Sequence, residues 1–151
     1  MLKSEPDAFS IDNLIASPQK STLWDGVRNY QSRNNLLAMQ KGDRAFFYHS
    51  SCPVTGIVGE MVVTAVAVPD VTQFDTASPY FDAKSTFDKP RWFSPRLKFV
   101  KKYPVTFTRE AMARTSLGRS QLFTHSRLSV IPLSASQMKA IDQWLGAQVR
   151  K

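Results

Sequence analysis

The stretch from Trp24 to Asn34 combines residue types that suit ligand binding better than they suit a hydrophobic core. It holds the aromatic residues Trp24 and Tyr30, two arginines and several amides around the turn Asp25-Gly26. Aromatic rings stack on base faces, amides and carboxylates hydrogen-bond to base edges, and arginines bind phosphate. The pattern indicates a site for a flat, polar, anionic ligand, and a nucleobase attached to phosphate is one such ligand.

Aromatic and basic residues recur further along the chain. Tyr48, Trp92 and Phe93 lie near cationic or amide side chains in the sequence. Tryptophans are mostly buried in folded proteins, so the residues alone favour Trp24 and Trp92 in the core over a pocket wall. The arginines that could hold phosphates are Arg28, Arg33, Arg91, Arg96 and Arg127.

Catalytic chemistry would rest on His49 and Cys52, with Asp25 to orient the imidazole. Cys52 is the only cysteine, and His125 is the only other histidine. The pair lacks the partners of a structural zinc site, and no nucleophile elbow or phosphate-binding glycine loop occurs. The sequence predicts no catalytic residue, no metal and no cofactor. A small nucleotide- or nucleoside-directed enzyme that uses His49 and Cys52 is kept as an alternative.

Composition sets the class of protein. The 151 residues are 42% hydrophobic, which predicts one compact domain over residues 1–151. A single cysteine forms no internal disulfide, and this favours a cytoplasmic location. The N-terminus lacks the apolar run of a signal peptide, and no stretch approaches the ~20 apolar residues of a membrane span. We therefore expect no contact with a membrane.

Positive charge is concentrated in the second half of the chain. The net charge is +8, and residues 84–151 carry 14 Lys and Arg against 3 Asp and Glu, whereas residues 1–83 carry 6 against 9. Such asymmetry is typical of a face that meets an anionic partner. A solvated basic surface without a partner explains the charge equally well, and charge alone does not choose between them.

The elements that would position these residues follow no regular βαβ rhythm, which predicts an α+β fold with a small, curved, mainly non-parallel sheet. Residues 69–90 are predicted to be a functional or packed loop, and 17–21 a shorter loop. Ser10, Thr108 and the Ser134–Gln137 capping box mark helix starts. Helices are predicted at 10–15, 29–39, 108–113 and 134–145. Strands are predicted at 3–6, 45–50, 57–68, 91–103 with a break at Pro95, and 128–131.

Eight short pieces occur in order between residues 3 and 130. They are KSEP at 3–6, FSID at 9–12, WDGVRNYQ at 24–31, RN at 33–34, FYHS at 47–50, GIVG at 56–59, KPRW at 89–92 and RLSV at 127–130. Together they resemble the EVE domain family, a branch of the PUA-like superfamily. The resemblance covers most of the chain, and WDGVRNYQ and FYHS are its most specific parts.

The resemblance implies a PUA-like fold: a curved, barrel-like, mainly antiparallel sheet flanked by short helices. It also implies a module that reads a modified base in DNA or RNA by holding it in an aromatic-walled pocket, without catalysis. Some relatives carry an extra basic N-terminal tail that is absent here, which favours a bacterial-type, single-domain member. The expected partner is nucleic acid carrying a modified base, and a monomer is favoured.

Roles for single residues are carried over from the resemblance. Trp24 would form a pocket wall that Trp92 closes, and Asp25 and Asn29 would read the base edge. Arg127 would contact phosphate, a role that residue type also suggests for Arg28, Arg33 and Arg91. The remaining lining residues would be Tyr30, Tyr48, His49 and Ser50, with Lys3, Ser4 and Pro90 at the pocket edge.

The chain departs from the family pattern in two places. Only Met1-Leu2 precedes Lys3, where relatives often carry further aromatic and apolar residues. Leu122–Ser126 replaces a commoner basic, glycine-containing segment, which affects the expected phosphate contacts there.

A second alternative to the base reader, besides the enzyme, is an adaptor whose pocket takes an acylated or methylated protein side chain instead of a base.

Overall fold

A computed structural model describes residues 1–150, and in this range five strands form one curled sheet. The order across the sheet is β1-β3-β4-β5-β2. The β1–β3 pair is parallel, and the other neighbours are antiparallel. These findings confirm the predicted α+β class and the mainly antiparallel sheet. The strands are β1 (Leu2–Ser4), β2 (Ser21–Leu23), β3 (Arg44–His49), β4 (Gly56–Pro69) and β5 (Phe93–Thr108).

The curl of the sheet comes from its two longest strands. Pairing between β4 and β5 changes register at several points along their length, beginning between Ile57 and Gly59. Each irregularity bends a strand and increases its twist. The sheet therefore wraps toward a half-barrel and presents two packed faces.

Short helices flank the sheet, and local sequence explains where they begin. Ser10 and Ser134 each form a capping box with the residue three positions later, and Thr108 accepts a hydrogen bond from the Ala111 amide. Asn29 caps the second helix by accepting from the Ser32 amide at 2.9 Å. The predicted starts are confirmed. The helices are α1 (Ile11–Ala16), α2 (Tyr30–Leu37), α3 (Arg109–Ala113), α4 (Gln121–Thr124) and α5 (Ala135–Val149).

Two strand predictions and one loop prediction are wrong. β5 runs through Pro95, because a register shift between Ala65 and Val68 of β4 accommodates a residue that has no N–H to donate. Residues 128–131 form only an isolated bridge, Val130 to Leu2, and no strand. The predicted loop at 17–21 contains a 3-10 turn, Pro18–Lys20, and its last residue, Ser21, begins β2, a strand that was not predicted.

The two faces of the sheet bury separate cores. Phe46 and Tyr48 of β3 pack with residues of α3, α4 and α5, whereas Phe47 packs on the other face with Trp24 and with residues of α1 and α2. This split follows from the alternation of side chains along a strand. No helix within residues 1–150 is long and apolar enough to span a membrane.

Candidate nucleic-acid interface

A groove opens between β1, the loop at residues 24–29 and Tyr80. It consists of two adjoining chambers, an inner one of about 290 Å³ and an outer one of about 640 Å³. Ser4, Ala8, Asp25 and Tyr80 line both chambers. The groove is therefore one concavity with a deep end and a wide end.

Trp24 is both a core residue and part of the inner chamber. Its side chain is only 7% exposed, and its ring meets Phe47 edge-on at 5.2 Å and Phe9 at 6.3 Å between centroids. Its remaining exposed edge lines the inner chamber. Trp24 thus supplies a rigid apolar floor, with its orientation fixed by the core beneath it.

Asp25 places a carboxylate without a protein partner in the groove. Within residues 1–150 its side chain makes no hydrogen bond or ion pair, and it borders both chambers. Asp25 is exposed to solvent, but partial desolvation of its carboxyl, followed by the nearby charge of Asp70, raises its pKa above the usual value. An acceptor whose ionised form is disfavoured in the free protein gains from a ligand that donates a hydrogen bond to it.

Cationic side chains surround the outer chamber. Lys3, Arg28 and Arg127 line it together with the carboxylate of Glu5, and Arg28 is paired with Asp70. Burial together with the nearby charge of Arg109 lowers the pKa of Lys3. Arg127 makes no ion pair with any residue in the range 1–150. Arg127 is therefore the lining cation that is most available to an anionic group.

The loop that carries Asp25 is fastened to the rest of the protein by the buried carboxylate of Asp70. This carboxylate accepts hydrogen bonds from the Gly26 amide at 2.8 Å, from Arg28 at 3.0 Å and from the Thr72 amide at 2.9 Å. Burial acts to raise the pKa of Asp70, but the hydrogen bonds from Thr72, Gly26 and Arg28 outweigh it and hold the pKa below its usual value. Asp70 is therefore a charged anchor for the groove.

Trp92 lies behind this anchor and does not line the groove. It is 5% exposed, and its indole N–H donates to Asp82 at 2.7 Å. The buried Gln73 side chain accepts from the Trp92 amide and donates to the carbonyls of Asp70 and Trp92. Trp92 holds the loop of residues 70–92 in place instead of closing the pocket.

The Tyr30 ring stacks on Trp92 and is exposed at the surface. The two rings stack at 4.9 Å, with the guanidinium groups of Arg33 and Arg91 at 4.7 and 5.5 Å from the Tyr30 ring. Arg28 lies 5.3 Å from the Trp92 ring. Aromatic and cationic side chains thus alternate beside the groove, and we call this row the ladder. Tyr30, Arg33 and Arg91 belong to the ladder and do not line the chambers.

The structure does not bring the residues at the end of β3 to the groove. Tyr48 is 2% exposed and packs in the core on the opposite face of the sheet from Trp24. His49 accepts the Ile11 amide through Nε2 at 3.1 Å, and burial lowers its pKa, so the ring supports the start of α1. The Ser50 amide donates to the Ser4 carbonyl.

Seven of the predicted site residues do meet in the groove, and Pro90, half-buried in the loop before Arg91, does not. Sequence reasoning missed Tyr80, whose ring lies on Gly26, where an added Cβ would stand 2.9 Å from it. The exposed aromatic residues of the long loop were the available signal in the sequence. However, the residue that Tyr80 contacts, Gly26, lies 54 positions earlier in the chain. The seven are Lys3, Ser4, Trp24, Asp25, Arg28, Asn29 and Arg127.

The proposed thiol chemistry has no matching geometry. His49 Nε2 is occupied by the Ile11 amide, and the Cys52 thiol donates to the Val54 carbonyl at 3.4 Å. No hydrogen bond joins His49 and Cys52 in the described range. Residues 1–150 also contain no group of three or more His, Cys, Asp or Glu side chains that could hold a metal ion.

The curled sheet, its short helices and the groove at its edge define a PUA-like domain. The model of the EVE domain family matches residues 1–144, and the chain belongs to this family. Human thymocyte nuclear protein 1 is 40% identical over 155 residues, which span 91% of this chain and 69% of that protein.

Solved structures agree with this assignment. A hypothetical protein from Leishmania major has a TM-score of 0.90 at 44% identity and covers 97% of this chain and 93% of its own. Human thymocyte nuclear protein 1, in complex with DNA containing 5-methylcytosine, has a TM-score of 0.90 at 36% identity and covers 95% of each chain.

Proposed function

We propose that this protein binds DNA carrying a modified cytosine, such as 5-methylcytosine, and takes the modified base into the inner chamber of the groove. The observation that carries the proposal is the unpartnered Asp25 carboxylate between an aromatic floor and a cationic rim. The human relative in complex with DNA containing 5-methylcytosine supports the choice of ligand.

The inner chamber matches a base that has left the duplex. The exposed edge of Trp24 and the ring of Tyr80 provide apolar contact for a flat ring. Stacking of a base on an aromatic face contributes about 1–3 kcal/mol, and Tyr80 is the residue that could supply it. Asp25 accepts a hydrogen bond from the exocyclic amine of cytosine. The groove thus offers apolar contact to the ring of the base and a hydrogen-bond acceptor to its edge.

The outer chamber and the ladder beside it would hold the phosphates. Lys3 and Arg127 lie at the rim of the groove, and Arg33 extends the positive surface past Tyr30, whereas Arg91 is already paired with Asp82 at 3.2 Å. Binding that neutralises phosphates releases counterions and weakens with salt. We therefore expect steep salt dependence, whereas an adaptor for modified protein side chains would show little.

The test compares oligonucleotides with and without 5-methylcytosine, as single-stranded DNA, duplex DNA and RNA, by fluorescence anisotropy. Wild type should prefer the methylated DNA. Asp25→Asn should weaken binding roughly 10- to 100-fold, because a hydrogen bond to a charged group contributes about 1.5–3 kcal/mol. Trp24→Ala should remove the preference for methylation.

Asp88→Asn is the matched control, since Asp88 is an exposed aspartate outside the groove, and it should bind like wild type. Lys3→Ala and Arg127→Ala should each reduce the salt slope by about 1 without changing the preference for methylation. Equal affinity of wild type for methylated and unmethylated oligonucleotides would refute the proposal, and so would wild-type affinity of Asp25→Asn.

A further inference from the structure

A shallow hollow continues the outer chamber toward the end of α4. It has a volume of about 260 Å³, and Asn29 and Arg127 line both this hollow and the outer chamber. Its far wall is the turn at Thr124, His125 and Ser126, whose side chains are exposed. The inner chamber, the outer chamber and this hollow, which we call the flank hollow, form one continuous track.

Arg127 marks the boundary between the outer chamber and the flank hollow. It is exposed, and within residues 1–150 no acidic group pairs with it. Successive nucleosides in a strand are joined by one phosphate, so a cation between two concavities lies where that phosphate would be bound. The flank hollow therefore lies across Arg127 from the outer chamber, where the nucleoside beyond a phosphate bound by Arg127 would reach.

The lining of the flank hollow suits hydrogen bonding more than stacking. Gln31 is exposed at the start of α2, and its amide makes no hydrogen bond with the described residues. The His125 ring bonds through Nδ1 to the Thr124 hydroxyl at 2.8 Å, and its Nε2 makes no hydrogen bond with the described residues. An amide, an imidazole and the Ser126 hydroxyl can each read the edge of an unstacked base.

We propose that the flank hollow holds the base next to the modified base and reads its identity through Gln31 and His125. This inference rests on the proposed function, because it takes the modified base to occupy the inner chamber. Discrimination between good and poor neighbours should be about tenfold.

The experiment uses the full chain and a panel of single-stranded DNA oligonucleotides. Each contains a central cytosine or 5-methylcytosine, and the base on either side is varied through all four identities. Anisotropy titrations then give two quantities: the affinity ratio between methylated and unmethylated DNA, and the spread of affinity across neighbouring bases. The variants are wild type, Gln31→Ala, His125→Ala, the double variant, and Gln143→Ala as a control for an exposed glutamine on α5.

Wild type and Gln143→Ala should show about a tenfold spread at one neighbouring position. The double variant should lose this spread and keep the preference for methylation, and each single variant should reduce it. Gln31 and His125 are exposed, so unchanged circular dichroism spectra should confirm folding. A wild type without spread, or a double variant with the wild-type spread, would overturn the inference alone. If wild type bound methylated and unmethylated DNA with equal affinity, the proposed function would be overturned instead.

Discussion

Replacing Asp70 by asparagine should loosen the groove from the rest of the protein. The substitution keeps the side-chain shape but puts an NH2 group where an oxygen accepts hydrogen bonds. At least one of the donors, Gly26, Arg28 or Thr72, then faces another donor. The change therefore removes a charge and a hydrogen bond at a site that is only 2% exposed.

The size of the effect follows from burial. Breaking a fully buried ion pair costs about 3–5 kcal/mol, and the Arg28 side chain is 21% exposed, so solvent compensates for part of its loss. We expect the free energy of unfolding to fall by about 3 kcal/mol. With a urea slope of about 2 kcal/mol per M, the unfolding midpoint should drop by about 1.5 M.

The dependence on pH gives this prediction a second test. The pKa of Asp70 is lower in the folded protein than its usual value, so the folded state favours the ionised form. Its contribution to stability is present above the unfolded value of about 3.9 and is lost as the pH falls through the folded pKa. The stability difference between wild type and Asp70→Asn should therefore be largest near neutral pH and shrink below about pH 4.

The assay is urea unfolding followed by circular dichroism between pH 3 and 7. Asp88→Asn serves again as the control, because it is an exposed aspartate in the same loop, and its midpoint should match wild type. A drop of less than about 0.5 kcal/mol for Asp70→Asn, or a difference that does not change with pH, would refute the role of Asp70 as a charged anchor.

Three further predictions concern single side chains. Gly26→Ala should lower stability by about 1–2 kcal/mol and weaken DNA binding, because φ is +77° and the new Cβ would meet the Tyr80 ring at 2.9 Å; a melting temperature and affinity like wild type would contradict this. Asn29→Ala should cost about 1 kcal/mol by removing the cap of α2, and Asn29→Asp should restore the lost stability in thermal melts. Arg44→Met should cost about 2 kcal/mol in guanidinium unfolding, because it leaves the buried Glu60 without its main cation; an unchanged midpoint would exclude this pairing as a source of stability.

Helix starts were predictable from sequence because their causes are local. The capping boxes at Ser10 and Ser134 need only residues three positions apart. The error at Pro95 has the opposite origin. The register shift that accommodates this proline is a property of β4, whose residues 65–68 lie far away in sequence.

The site residues also divide into those whose position follows from local sequence and those whose position depends on distant residues. Alternation along β3 shows that Tyr48 and Phe47 lie on opposite faces, but it does not show which face carries the groove. The structure decides this by packing Trp24 against Phe47. Tyr80 was missed because its place on Gly26 is set by long-range hydrogen bonds, among them that from Arg28 Nε to the Tyr80 carbonyl.

Asp70, Gln73 and Asp82 hold the segment of residues 70–92 in place. The residues between these three can therefore be varied while the backbone of the segment stays attached to the rest of the protein. Among them, Tyr80 forms a wall of the groove. Libraries that vary residues 76–81 and keep the three anchors would alter the cavity without disturbing the sheet. Affinity selection from such libraries is a direct route to engineered reagents for other base modifications.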